Sequence, residues 1–163
     1  MKSLFSSKQR PLNILVVGNN PIEMSTVVEK LRQVRKHKIV TEIAFDIKST
    51  LERLMHFRPN FILIDDNLGR TGLQETVQAL TAERKTRDIP ITVLKNSNYR
   101  EIAPTSGILD YLLKQNISAD SLSGSIRNAL RMKRTQALLM RAYRKNSGWL
   151  RKSAQKVRSD QTA

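Results

Sequence analysis

Residues 61–68 read Phe61-Ile62-Leu63-Ile64-Asp65-Asp66-Asn67-Leu68: four large apolar residues running straight into two carboxylates and an amide. A strand with one wet face alternates apolar and polar residues, whereas an unbroken apolar run belongs to a strand covered on both sides. Ile14–Val17 and Ile91–Leu94 have the same character. Three such strands require a parallel sheet with helices on both faces. The sequence therefore predicts an α/β fold, a doubly wound five-stranded parallel sheet with flanking helices.

The segments around these runs fit that alternation. Leu12–Val17 stops at Gly18-Asn19-Asn20-Pro21, and Ile22, Val27, Val28, Leu31 and Val34 then follow helical spacing. Ile39 to Phe45 reads as a strand, and Leu51, Leu54, Met55 and Phe57 as a helix that ends at Arg58-Pro59. Beyond Asp65-Asp66-Asn67, Gly69 and Gly72 lead into a helix carrying Leu73, Val77 and Leu80. Pro90 opens the strand Ile91–Leu94, residues 95–107 carry little pattern, and Ile108–Leu113 is the last strand. From Ser118 a helix places Leu122, Ile126, Ala129 and Leu130 on one face, with Ser118 or Asp120 as its cap and Gly124 as a weak point. Met24, Met55, Met132 and Met140 read as fillers of core or half-core gaps.

Composition narrows the chemistry. The 163 residues hold no cysteine and only His37 and His56, which excludes disulfides, thiolate zinc sites and cysteine nucleophiles and leaves little for a histidine metal site. No apolar run approaches the roughly 20 residues that span a bilayer. The opening MKSLFSSKQR lacks the apolar core of a signal peptide, and the expected location is cytoplasmic. Charge is uneven. Residues 126–163 carry 11 basic residues and one acid, Asp160, against 18 basic and 13 acidic residues in 1–125. The organisation expected is an N-terminal tail (1–10), a folded body (11–131) and a basic helical extension (132–163).

Ligands of such sheets gather at the carboxyl ends of the strands, which directs attention to Gly18-Asn19-Asn20, Asp65-Asp66-Asn67, Lys95-Asn96 and Lys114-Gln115. Residue type and spacing admit two readings of Asp65 and Lys114: a structural ion pair, or a phosphoacceptor carboxylate with a cation beside it. Together, Ile14–Val17 with its polar loop and Pro21, Phe61–Leu68, Gly72-Leu73, Ile89–Leu94 and Gly107–Lys114 resemble the receiver domain of two-component response regulators over residues 11–131. That resemblance implies five parallel strands and five helices. It further implies a phosphoryl acceptor at Asp65, a phosphate-contacting lysine at Lys114, a rotating aromatic at Tyr111, and a magnesium ion.

Four departures from the receiver pattern stand out. Gly18 and Asn19 occupy the places of an acidic pair that holds the magnesium ion, and neutral Asn19 and Asn20 are poor substitutes for carboxylates around a hard dication. Glu23 reads first as a first-turn helix acid, with a reach into the site as the other option. Lys95 replaces a hydroxyl residue that meets the phosphoryl group, which predicts a second ammonium beside Asp65, a carboxyl pKa below the usual range, and a destabilising Asp65→Asn change. Gln115 replaces a proline after the lysine. The segment between Lys95 and Lys114 is short and carries Pro104, predicting a short or irregular fourth helix. Asp66 and Asn67 read as loop-capping residues.

The last helix pattern continues past the body through Ala137, Leu138, Leu139, Met140 and Tyr143 until Asn146-Ser147-Gly148, where an interruption is expected, and resumes at Trp149, Leu150, Ala154 and Val157. Its expected contact residues are Arg131, Arg134, Met140, Arg141, Tyr143, Arg144 and Trp149. The function expected is an atypical receiver-like signalling or adaptor module acting by protein–protein contact. It carries no catalytic residue, no cofactor and no metal. Its partner would be another signalling protein or a second copy on the extended helix, with nucleic acid, anionic lipid or an acidic protein surface as further partners of the tail. Two alternatives stand beside it: a working phosphoacceptor of a two-component system, the one case that calls for magnesium, and a nucleic-acid-associated protein binding through its basic tail.

Overall fold

The computed structural model describes residues 10–96 and 107–161. Its elements run β1 (Leu12–Val17), α1 (Pro21–Arg32), β2 (Ile39–Ala44), α2 (Ile47–Leu54), β3 (Phe61–Asp65), α3 (Gly69–Ala82), β4 (Ile91–Lys95), β5 (Asp110–Leu113) and α4 (Ala119–Gln161). Single 3₁₀ turns, Asp66–Leu68 and Lys114–Asn116, follow β3 and β5. The strands form one sheet in the order β2-β1-β3-β4-β5, with every pairing parallel. Strand order reverses between β1 and β3, so the crevice beyond their carboxyl ends is the natural ligand position.

Both faces of the sheet are dry. Leu15, Val17, Ile62, Ile64 and Val93 pack with Leu73, Val77 and Leu80 of α3. Residues of the other parity, Ile14, Val16, Phe61, Leu63 and Leu94, are equally buried, as are Met24, Val27, Val28 and Leu31 of α1 and Leu122, Ile126 and Ala129 of α4. The helix starts are set locally. Asn20 caps α1 through the amides of Ile22 and Glu23. Asp46 and Ser49 form a reciprocal box at α2, whose bonds hold the exposed Asp46 carboxyl below the usual range. Of the two candidate caps for α4, Ser118 serves: its hydroxyl accepts from the Ser121 amide while Ser121 Oγ accepts from the Ser118 amide.

Several boundaries differ from the sequence reading. α2 stops at Leu54 instead of reaching Arg58, and its buried position is Thr50, while Leu51 and Met55 face solvent. Ile22 is exposed at the first turn of α1, where Met24 takes the core position. Of the four methionines read as gap fillers, Met24 alone is buried; Met55, Met132 and Met140 are exposed. β5 begins at Asp110, not Ile108. Asn146-Ser147-Gly148 does not interrupt α4, because a single glycine costs a helix only about 1 kcal/mol and Ser147 returns its hydroxyl to the Arg144 carbonyl. The segment expected to hold a short fourth helix and most of the N-terminal tail lie outside the described residues. The chain divides into two compact units, residues up to Ala129 and residues from Leu130 onward.

Two substitutions two residues apart in α4 test this account. A Cβ at Gly124 meets open space, so Gly124→Ala should raise stability by roughly 0.5–1 kcal/mol through helix propensity. Ile126 is fully buried, so Ile126→Ala should lower stability by about 2–5 kcal/mol. Urea denaturation of both variants checks the opposite signs.

Candidate functional site

Parallel register decides which side chains meet at the sheet edge. Val17 lies opposite Ile64 and Asp65 opposite Leu94, while Lys95 lies opposite Leu113. Directly paired residues point to the same face and successive residues to opposite faces. Asp65 therefore shares a face with Leu94, and Lys95 takes the other. Lys114, one residue beyond Leu113, returns to the Asp65 side.

The side chains follow this parity. Lys114 Nζ lies 2.5 Å from Asp65 Oδ1, 2.8 Å from Glu23 Oε2 and 4.0 Å from Asp66 Oδ1. Lys95 sits elsewhere, with its Nζ 4.6 Å from the centroid of the Tyr111 ring, a cation–π contact. Tyr111 is paired with Val93, two residues before Lys95 on the same face. The expected cluster of two lysines around Asp65 is thus corrected: one ammonium is present, and the other rests on the aromatic that was read as a switch residue.

Asp65 is 1% exposed, and its protonation follows from that. Burial pushes its pKa above the usual carboxylate range, with Glu23 adding to the rise, against Lys114 and the Asn67 amide, which pull it down. The expected depression is therefore overturned, because desolvation outweighs a single ammonium. Burial also works against the charged form of Lys114, yet Asp65 and Glu23 together outweigh it and hold its pKa above the ordinary lysine value.

Three amides complete the site. Asn19 Nδ2 donates to the Asn67 carbonyl (2.9 Å), Asn67 Nδ2 to Glu23 Oε2 (2.7 Å), and Asn96 Nδ2 to Asn67 Oδ1 (2.6 Å). The Asn67 amide donates to Asp65 Oδ1, and the Asn96 amide to Asp66 Oδ2. The loops after β1, β3 and β4 are tied together by neutral groups. Sequence reasoning undervalued Glu23, which is both a first-turn acid of α1 and a partner of Lys114. It missed Asn67 and Asn96 as a lattice, because no motif marks an asparagine as a cross-loop bridge.

A magnesium ion, implied by the receiver resemblance, fits these residues poorly. Asn19 is neutral and donates to the Asn67 carbonyl, and Glu23 already accepts from Lys114 and Asn67. Among the described residues no three acidic or histidine side chains are grouped to hold a metal. At Gly18 a Cβ would lie 2.5 Å from Met24 Sδ and 3.0 Å from Asp65 Cβ, so Met24 fills the space that an acid there would need. Asp65 Oδ2 and Asp66 Oδ1 are buried with no hydrogen-bond partner among the described residues, two acceptor atoms left over in the site. Glu23, Thr26, Val27, Lys30, Asp65, Asn96, Lys114, Gln115 and Ile117 line a pocket beside them.

With this geometry in hand, comparison with known proteins gives a consistent fold. No protein-family model and no curated protein matches the sequence. The chemotaxis response regulator CheY4 of Vibrio cholerae matches at 17% identity and a TM-score of 0.61, covering 73% of this chain and 98% of its own. The receiver domain of a sensor histidine kinase of Pseudomonas aeruginosa, solved with a magnesium ion in its active-site cleft, matches at 21% and 0.61, covering 72% and 96%. The N-terminal domain of a response regulator receiver protein of Methanoculleus marisnigri matches at 28% and 0.53, covering 71% and 94%. The chain has the response-regulator receiver fold.

The pKa directions give a signed test. A carboxyl whose folded-state pKa is raised contributes stability below its unfolded value and loses it as pH rises through the folded one. Asp65→Asn mimics the protonated form, so it should raise the melting temperature at neutral pH, with the gain vanishing as pH falls below the ordinary carboxylate value. Lys114→Met strands Asp65, Asp66 and Glu23 without their cation and should cost on the order of 3 kcal/mol. Thermal melts of both variants from acid to neutral pH check the pair.

Proposed function

We propose that this chain is a receiver-fold signalling module that acts by contact with other proteins and is not phosphorylated at Asp65 in the usual magnesium-dependent way. One observation carries the reading: the Lys114 ammonium lies between Glu23 Oε2 and Asp65 Oδ1. A buried carboxylate, Asp65, with the half-buried Glu23 beside it needs a cation, and this chain supplies one covalently. The Asn19 amide on the Asn67 carbonyl acts in the same direction, closing the β1 and β3 loops onto each other. The Lys95 ammonium over the Tyr111 ring favours the side-chain position that Tyr111 takes. The module therefore presents one state to its partners. α4 beyond Ala129, with Arg131, Arg134, Met140, Arg141, Tyr143, Arg144 and Trp149 exposed on it or, for Arg131, at its start, adds a second contact surface.

A second reading, in which Asp65 does accept a phosphoryl group, rests on its Oδ2, buried and without a hydrogen-bond partner beside the pocket. One measurement separates the two. Incubation with acetyl phosphate and millimolar magnesium, followed by intact-mass analysis, should leave the mass unchanged; a stoichiometric phosphoryl adduct lost in Asp65→Asn supports the second reading and sinks the first. Magnesium should also leave the melting temperature of the wild type unaltered and raise that of Lys114→Met, where the carboxylates are released from their internal cation.

A further inference from the structure

The helix beyond Ala129 carries a pattern that the site does not use. Met132, Leu139, Tyr143, Leu150 and Val157 follow one another at separations of 7, 4, 7 and 7 residues. At 3.6 residues per turn they fall within about 40° of arc. All five are between 47% and 70% exposed. Met140 and Trp149, also exposed, lie about 80° and about 100° from its centre on opposite sides, level with the flanking cations, and the exposed Leu138 lies about 120° away. Arg131, Lys133, Arg134, Arg141, Arg144, Lys145, Arg151, Lys152, Lys156 and Arg158 all lie roughly 80° or more from its centre, and Asp160 is the one acid between Leu130 and Gln161. The segment is a cationic amphipathic helix about 48 Å long.

Charge and shape together select its counterpart. A second copy would bring an equally cationic helix alongside. The seam it would share alternates the five apolar residues with Gln136, Asn146, Ser153 and Asp160, whereas a two-stranded coil needs apolar residues at both seam positions. Nucleic acid satisfies the basic face and leaves the apolar stripe in water. An anionic phospholipid surface satisfies both: the stripe enters the boundary between headgroups and acyl chains while the flanking Lys and Arg meet lipid phosphates. The tryptophan on the flank of the helix, about 100° from the stripe's centre, suits the headgroup level. No helix among the described residues is long and apolar enough to cross a membrane, so such a helix lies on the surface. We infer that Leu130–Gln161 is a surface-binding helix for anionic phospholipid membranes. The inference rests on reading α4 as a contact surface and is independent of the state of Asp65.

Trp149, the single tryptophan of the chain, reports the event directly. The full chain is mixed with vesicles of phosphatidylcholine alone or of phosphatidylcholine with phosphatidylglycerol, and flotation and Trp149 emission are read. Flotation with the anionic vesicles and a blue shift of Trp149, both absent with phosphatidylcholine alone, are expected. Leu139→Glu with Leu150→Glu, at exposed positions that leave the core intact, should weaken this binding by roughly 10-fold or more. Arg141→Glu with Lys145→Glu should weaken it too and make the remainder less sensitive to salt. Absence of vesicle binding overturns the proposal, as does binding that the Leu139/Leu150 variant retains in full. Duplex DNA binding without vesicle binding assigns the tail to nucleic acid, and a concentration-dependent dimer lost in the Leu139/Leu150 variant, without vesicle binding, assigns the stripe to a second copy; each refutes the lipid assignment. The mass measurement on Asp65 is untouched by any of these results.

Discussion

The ammonium of Lys114 is the interaction on which the site depends. Its Nζ lies within 4.0 Å of a carboxylate oxygen of each of Glu23, Asp65 and Asp66, and Asp65 is fully enclosed. Like charges so close cannot all stay ionised in a low-dielectric setting without a counter-charge. A lysine held by its own backbone at the end of β5 provides that charge without an entropy cost of capturing an ion from solution. It does not satisfy every oxygen. Asp65 Oδ2 and Asp66 Oδ1 remain without hydrogen-bond partners among the described residues, and burial still wins over attraction in setting the Asp65 pKa.

The amide lattice follows from the same constraint. A divalent ion can join several loops at once by accepting oxygens from each, and a cluster of asparagines can do so with hydrogen bonds. Asn19, Asn67 and Asn96 come from three different loops, and each donates its Nδ2 to a neighbour in the site or accepts from one. Amides suit this role because each carries both donors and acceptors. Gly18 belongs to the same design: a side chain there would collide with Met24 and with Asp65, so the core methionine and the missing acid are two sides of one packing choice.

The tail obeys different physics. In the body, apolar residues are buried by sheet and helix and charges are scattered. From Leu130 on, nearly every side chain is exposed; Met132, Leu139, Tyr143, Leu150 and Val157 form a stripe, while Leu138 and Trp149 lie with the cations on the remaining circumference. Its cations and its stripe together are what a surface both anionic and apolar would take, as proposed above.

Much of the fold was legible in the sequence, because each buried strand of a parallel sheet is locally apolar on both faces and each helix carries its own period. Phe61–Ile64 needed no tertiary knowledge to be read. Helix ends were less certain: α2 stops before Phe57 and α4 passes through Gly148, since packing on the sheet, or its absence, overrides weak local signals. The candidate site was half legible. Asp65 and Lys114 were found because they end apolar strands, and a carboxylate and an ammonium at one edge attract. Which of two lysines reaches Asp65 depended on strand register, which no local pattern records. A shift of one residue sends a side chain to the opposite face, and that parity placed Lys95 on Tyr111 and left Lys114 alone with the carboxylates. The sign of the Asp65 pKa shift also required the fold, because desolvation is a property of the whole enclosure and not of any residue next to it in the chain.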